Sequence, residues 1–112
     1  MTVHVPAFHP GEILEELYLE PLGMSAGKLA KILGVPRTRI ERLVKGETDM
    51  SVDTAARLAR AFSTTGEYWL NLQSAYNLQK LEASETERAE LDAITPIDIT
   101  GGTEPVPARR VA

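Results

Sequence analysis

Residues 25–40, with the sequence SAGKLAKILGVPRTRI, decide the fold. Ser25 stands where an N-cap is needed, since its hydroxyl can accept a hydrogen bond from a free N–H at the start of a helix. Gly34 stands at the other end of that helix, where a left-handed residue commonly ends it. Pro36 suits the first turn of a following helix, because its missing N–H has no helical partner there. The stretch predicts helices over 25–33 and 36–45, joined by a very short turn.

The side chains of the same stretch fit a steep crossing of the two helices. A helix-turn-helix needs a small residue where the helices touch and a glycine at the turn, and Ala30 and Gly34 supply them. It also needs apolar anchors on both sides of the turn, supplied by Leu29, Val35 and Ile40. All these requirements are met within sixteen residues. A helix-turn-helix over residues 25–45 is therefore predicted.

Prolines, glycines and capping residues predict four further helices. The first runs from about residue 9 or 10 to residue 20 and carries an apolar stripe of Ile13, Leu14, Leu17 and Tyr18. Ser51 caps the next helix, whose expected inner face holds Val52, Ala55, Ala56, Ala59 and Phe62. A helix over about 66–81 follows a capping box at Thr64 and Glu67 and is apolar on more than one side. A short acidic helix capped by Ser84 completes the set.

The expected fold class is therefore all-α, with five helices in a DNA-binding domain of residues 1–82. Residues 83–112 are expected to form an acidic segment, with one short helix, and a mobile tail. The mobile tail is expected over residues 95–112, since the composition turns to Gly, Pro and Thr after Thr95 and Pro96.

Charge is segregated along the chain, although the net value is only -4. Residues 1–24 carry four Glu and no Lys or Arg, whereas residues 25–60 carry eight cations against four anions. Residues 61–112 carry four cations against eight anions. A basic centre between acidic flanks indicates one surface for a polyanion and other surfaces for different partners.

The composition argues against an enzyme and against a cofactor or metal. The absence of cysteine excludes disulfides, thiolate catalysis and cysteine-type zinc sites, and it makes an intracellular location the default. His4 and His9 are the two histidines, and His9 is interpreted as a capping residue of the first helix. There is no apolar run of about 18 residues, and the first residues lack the order of a secretory signal. A cytoplasmic protein is expected.

The outer face of helix 36–45 is fixed by the helical period once Ile40 and Leu43 point inward. The N-terminal part of such a recognition helix contacts base edges in the major groove. Arg37 and Arg42 are predicted to contact guanine O6 and N7, and Thr38 a thymine methyl group or a phosphate. The residues predicted to contact the DNA backbone are Ser25, Lys28, Arg39 and Lys45.

Several stretches outside this motif carry a resemblance to a known family. They are HPGEIL at 9–14, LEPLGMS at 19–25, LAKILGVP at 29–36, DTAARLA at 53–59, EYWLNLQ at 67–73 and AY at 75–76. Over residues 8–82 the chain resembles the HigA-type antitoxins of bacterial toxin–antitoxin modules. The opening block and the EYWLNLQ block are more diagnostic than the helix-turn-helix, which many repressors share.

The resemblance implies a phage-repressor-like (XRE family) fold and a homodimer that represses its own operon. It also implies a partner, a cognate toxin that is a small ribosome-dependent mRNA endonuclease. The chain departs from the family at Glu47 and Asp49, where members are frequently basic. These two carboxylates are expected to repel phosphates near the loop after the recognition helix.

Dimerisation is also expected because a single helix-turn-helix contacts only a few base pairs. The candidate dimer interface is Leu70, Leu78 and Leu81, with ordinary core packing under the tail as the competing assignment. Two other functions stay open. One is a stand-alone transcriptional regulator without a toxin partner. The other is a protein-interaction module that has lost DNA binding, which the acidic loop would favour.

Overall fold

The computed structural model describes residues 6–99, which contain six helices and no strand. The expected all-α class is confirmed. The chain divides into two units, Met1–Leu81 and Glu82–Ala112. Residues 95–99 are exposed and lie outside any helix. The rest of the expected tail, like His4, lies outside the described residues.

Helices α1 to α4 and all but the last two residues of α5 lie in the first unit, and α6 lies in the second. Helix α1 consists of three consecutive segments, Pro10–Ile13, Leu14–Leu19 and Glu20–Leu22. The remaining helices are α2 (Ala26–Leu33), α3 (Arg37–Val44), α4 (Val52–Phe62), α5 (Gly66–Ala83) and α6 (Glu85–Asp92).

Three of the predicted helix caps are confirmed. The hydroxyls of Ser25, Ser51 and Ser84 each accept a hydrogen bond from the backbone N–H three residues later, at 3.1, 3.1 and 3.4 Å. Gly34 ends α2 in the left-handed region, at φ 72°. The Val35 N–H then donates to the Ala30 carbonyl at 3.0 Å. These bonds satisfy the free backbone groups of the turn and hold α3 close behind α2.

The cap predicted for α5 is wrong by one residue. Thr65 Oγ1 accepts a hydrogen bond from the Tyr68 N–H at 3.1 Å, so Thr65 is the capping residue. Thr64 Oγ1 instead accepts a hydrogen bond from the indole Nε1–H of Trp69 at 2.8 Å. The fully buried indole needs an acceptor for its one polar group, and Thr64 supplies it.

The predicted apolar stripe of α1 is also wrong in part. Leu14–Leu19 is a π-helix, in which backbone bonds span five residues, and the Glu20 N–H accordingly donates to the Glu15 carbonyl. Leu14 and Leu19, five residues apart, are therefore both buried, whereas Leu17 is 61% exposed. The wider turns move the inner face away from the positions that an ordinary helical period predicts.

The inner face of α4 differs from the prediction as well. Ala55 is buried as expected, but Val52 and Ala56 are exposed. The other inward residues are Thr54 and Leu58. Burying the large Leu58 side chain removes more apolar area from water than burying Ala56 on another side of the helix, so Leu58 sets the orientation of α4.

An aromatic cluster ties α1, α4 and α5 together behind the helix-turn-helix. The ring of Trp69 lies 5.1 Å from Tyr18, 5.0 Å from Tyr68 and 6.5 Å from Phe62, measured between ring centroids. The Tyr18 hydroxyl donates to the Tyr68 hydroxyl at 3.2 Å. Burial, aided by this bond, raises the pKa of Tyr18 to about 12.

Candidate nucleic-acid interface

Helix α3 is anchored by its inner face and exposes its cations on the opposite face. Ile40 and Leu43 are buried, as predicted, and so are Leu29 and Ala30 of α2. The outer face presents Arg37, Thr38, Arg39 and Arg42, all exposed, with exposed Lys45 directly after the helix. Because the inner face is locked in the core, the outer face has one fixed direction.

Two shallow grooves flank α3. Ser25, Lys28 and Arg37 line the first groove, beside the start of α2. The Arg37 side chain passes over Gly27, where an added Cβ would lie 3.4 Å from Arg37 Cδ. The second groove, on the side of α4, is lined by residues that include Thr38, Arg39 and Arg42. The predicted base-contacting residues are thus divided between the two sides of the helix.

Each of the three arginines of α3 lies near a carboxylate of its own chain. Arg37 Nε lies 2.6 Å from Glu41 Oε2, one helical turn away. Arg39 Nη1 lies 2.6 Å from Asp53 Oδ2, at the start of α4. Arg42 Nε lies 3.7 Å from Glu47 Oε1, in the loop after α3. Such exposed pairs bind weakly, so the arginines remain available to stronger partners.

Asp53 connects three elements through two arginines. Its Oδ2 accepts from Arg39 and, at 3.0 Å, from Arg57 Nε. Arg57 Nη1 also donates to the Leu33 carbonyl at the end of α2, at 2.8 Å. The hydrogen bonds from Arg39 and Arg57 hold the pKa of Asp53 below its ordinary value. The exposed edge of the helix-turn-helix is thereby attached to α4.

The loop after α3 is attached to α5 by a buried glutamine. Gln73 Oε1 accepts from the Met50 N–H at 2.7 Å. Its Nε2 donates to Asn77 Oδ1 at 3.1 Å and to Asp49 Oδ1 at 3.4 Å. The Asp49 carboxylate is therefore engaged by its own chain, while Glu47 lies beside Arg42.

Gly11 allows α1 to touch the end of α3. A Cβ at this position would lie 2.6 Å from the Leu43 carbonyl carbon and closer still to its oxygen. No side chain fits there, so the glycine sets how near the two helices approach. The helical period does not predict this role of Gly11, although a glycine in the first turn of a helix is a visible signal.

His9 is a capping residue, as predicted. Its Nδ1 accepts a hydrogen bond from the Gly11 N–H at 2.9 Å, and its ring packs edge-on against Tyr76 at 5.2 Å between centroids. Over residues 6–99, no group of three or more His, Asp or Glu side chains is placed to hold a metal ion. Within the same residues, no helix has both the length and the apolar character needed to cross a membrane.

The three leucines of the candidate dimer interface differ in exposure. Leu78 is 58% exposed, whereas Leu70 is half-buried and packs against the core of its own chain. Leu81 is also half-buried. Leu78 therefore offers more free apolar surface than Leu70.

Comparison with known proteins places this geometry in a family. The Helix-turn-helix family matches residues 16–69. Virulence-associated protein I of Dichelobacter nodosus is 43% identical over 83% of this chain and 83% of its own. An addiction module antidote protein of the HigA family from Coxiella burnetii is 40% identical, with a TM-score of 0.74 over 83% of this chain and 100% of its own. The chain belongs to the HigA family of helix-turn-helix proteins.

A further HigA-family structure contains DNA. The structure of the Pseudomonas aeruginosa antitoxin HigA with the higBA promoter matches 81% of this chain and 98% of the antitoxin. The two chains are 35% identical, and the TM-score is 0.73. The resemblance drawn from the sequence, and the phage-repressor-like fold that it implied, are thus confirmed.

Proposed function

We propose that this protein is a DNA-binding antitoxin that represses its own operon and neutralises a cognate toxin. The observation that carries the DNA-binding part is the outer face of α3. Its inner face is fixed by Ile40 and Leu43, so its arginines project from a rigid support. The promoter DNA in the structure of the related antitoxin supports the same use of the fold.

In this proposal Arg37, Thr38 and Arg42 contact bases, and a second set holds the backbone. Arginine binds guanine O6 and N7 in bidentate fashion, and each such contact contributes about 1–3 kcal/mol of discrimination. The backbone set is Ser25, Lys28, Arg39 and Lys45. Since Lys28 and Arg37 line one groove and Arg39 and Arg42 the other, both sides of α3 hold phosphate and base candidates.

A homodimer completes the DNA-binding unit in this proposal, because two recognition helices one DNA turn apart define a usable operator. The exposed Leu78, with the half-buried Leu70 and Leu81, is the proposed interface. Sedimentation of the free protein near twice the chain mass of 12.3 kDa is the expected result.

The DNA-binding part is tested with fluorescence anisotropy on the DNA directly upstream of the gene and on random duplex of equal length. The Arg37→Ala/Arg42→Ala variant is expected to lose at least about 30-fold in affinity for the upstream DNA. Arg60→Ala/Arg88→Ala removes the same charge outside α3 and serves as the control. Equal, weak binding of both DNAs by the wild-type protein would refute sequence-specific recognition.

The antitoxin part is tested by co-expression with the product of the adjacent reading frame. A toxic neighbour whose growth arrest is relieved, and which co-purifies with this protein, is the expected result. If the upstream DNA is bound selectively but the neighbour is neither toxic nor retained, the protein is a stand-alone transcriptional regulator.

A further inference from the structure

Helix α1 exposes acidic and apolar side chains together. The exposed residues Glu12, Glu16, Leu17, Glu20 and Leu22 form the α1 surface. Leu17 and Leu22 keep 61% and 59% of their side chains exposed. Within residues 6–99, none of the three glutamates takes part in an ion pair. Two large apolar side chains and three unpaired carboxylates therefore lie on the outside of one helix.

The backbone of α1 itself turns Leu17 outward. An ordinary helical period would place Leu17 on the same side as Leu14. The π-helix instead buries Leu14 and Leu19, five residues apart, and leaves Leu17 in solvent. Such π-helical turns are rare and are frequent at functional sites. The two buried leucines also fix the orientation of the helix, so the α1 surface is held in one position.

The charge of the α1 surface selects the kind of partner. Residues 1–24 contain no lysine or arginine that could offset its three glutamates. These carboxylates repel DNA phosphates, so they favour DNA on the basic face of α3 instead. They also disfavour a second copy of the chain here, because like carboxylates would meet across a two-fold interface. A protein with a basic surface and an apolar pocket matches both the charge and the leucines.

We propose that the α1 surface is the docking site for the cognate toxin, which presents a basic surface with an apolar pocket for Leu17. This rests on the antitoxin part of the proposed function and adds the surface that carries it. Leu17 supplies most of the affinity, because burial of a leucine contributes more than an exposed ion pair. The glutamates at 12, 16 and 20 accelerate the encounter and orient the partner.

Helix α6 has a similar composition and supplies a comparison within the same chain. It contains four carboxylates, and its Leu91 is 42% exposed. None of its residues is buried, whereas α1 is anchored by Leu14 and Leu19. A surface already held in place binds a partner at a lower entropic cost, which favours α1 over α6.

The test measures how tightly the full-length protein binds the purified product of the adjacent reading frame, by isothermal titration calorimetry. Glu16→Gln/Leu17→Ser removes one carboxylate and one leucine from the α1 surface. Glu90→Gln/Leu91→Ser makes the same two changes at the matching Glu-Leu pair of α6 and is the control. Thermal melts and anisotropy on the upstream DNA establish that both variants fold and bind DNA.

The α1 variant is expected to bind the partner at least about 10-fold more weakly than the wild-type protein, because a buried leucine is lost from the interface. The α6 control should stay within about twofold of the wild-type affinity. Salt should weaken the wild-type complex, and Glu12→Gln/Glu16→Gln/Glu20→Gln should make its affinity less dependent on salt. The partner's own sequence should carry a net positive charge.

Two outcomes would overturn this docking site and leave the proposed function intact. One is a neutralised toxin that binds the α1 variant as tightly as the wild-type protein, or that is lost only from the α6 control. The other is sedimentation of the free α1 variant at half the wild-type mass, which would assign the α1 surface to a second copy of the chain. If the wild-type protein neither retains nor neutralises the neighbour, the antitoxin function fails and the docking site fails with it.

Discussion

Helices α3 and α5 carry the surfaces proposed to meet DNA and a second copy of the chain, and their faces are organised differently. In α3, the buried residues Ile40 and Leu43 lie on one side, and the charged residues occupy the other. In α5, the buried residues are Trp69 and the polar Gln73, while apolar Leu78 is exposed. Helix α3 thus separates apolar and polar residues onto opposite faces, and helix α5 does not.

This difference explains why the sequence assigns one surface better than the other. In a strictly amphipathic helix, knowing the inner residues fixes the outer ones. In α5, each apolar residue has two possible destinations, the core of its own chain or a partner. Leu70 packs against the core of its own chain, whereas Leu78, in the same helix, is exposed.

The largest effect is expected where α1 meets the end of α3. Gly11→Ala would place a methyl group against the Leu43 carbonyl, and this backbone cannot move without displacing α3. We expect a loss of about 3 kcal/mol in the free energy of unfolding, since overpacking against a rigid neighbour is costly. Urea denaturation measures it, as a lower midpoint with an unchanged slope.

Gly66→Ala, at the start of α5, is the matched control for this substitution. A Cβ there would have no atom within 4 Å, so the change should be neutral or stabilise by up to about 1 kcal/mol. Similar midpoints for the two variants would show that the contact between α1 and α3 adjusts at little cost.

A smaller loss is expected from the buried amide that holds the loop to α5. Gln73→Leu removes the acceptor of the buried Met50 N–H and should cost about 2 kcal/mol, because an unsatisfied buried donor loses its solvation. Asn77→Ala removes only an exposed partner of the same amide and should cost about 0.5 kcal/mol. Equal losses of unfolding free energy in the two variants, measured by thermal or urea denaturation, would show that the bond to Met50 stabilises the fold no more than the bond to Asn77.

The parts of the fold predicted correctly are those governed by local chemistry. The helix-turn-helix follows from a serine cap, a left-handed glycine and apolar residues at helical spacing, all within a few turns of each other. The exposed face of α3 follows from the same spacing. The interpretation of His9 as a capping residue of the first helix is also confirmed.

The parts predicted wrongly or missed depend on contacts between distant segments. In the π-helix of α1, Leu19 is buried in the core in place of Leu17, and no local sequence pattern predicts this helix. Thr64 does not cap α5, because its hydroxyl accepts a hydrogen bond from the indole N–H of Trp69 instead. The pairing of Arg39 with Asp53 joins residues 14 positions apart and depends on how α3 and α4 pack. The pairing of Asp53 with Arg57, by contrast, follows from the sequence, because the two residues lie one turn apart on the same helix.

The smallest effect concerns the attachment of α3 to α4 through Asp53. Its pKa in the folded protein lies below the ordinary value of 3.8, first because of the hydrogen bond from Arg39 and then because of that from Arg57. The ionised carboxylate therefore stabilises the fold above about pH 4, and this contribution disappears as the pH falls through the lowered pKa. Thermal melts of the wild-type protein and Asp53→Asn, from about pH 7 to about pH 2.5, should show a Tm difference that shrinks with acid.

Arg39→Gln separates the pair from other sources of this pH dependence. If the bond between Arg39 and Asp53 is the main cause, adding Asp53→Asn to Arg39→Gln should change Tm less than adding it to the wild-type protein. The remaining effect belongs to Arg57 and should keep the same sign, since Arg57 also lowers the pKa of Asp53. A Tm difference that persists unchanged below about pH 3 would instead show that asparagine alters the start of α4, independently of charge. The link between the recognition helix and α4 would then be one of packing rather than electrostatics.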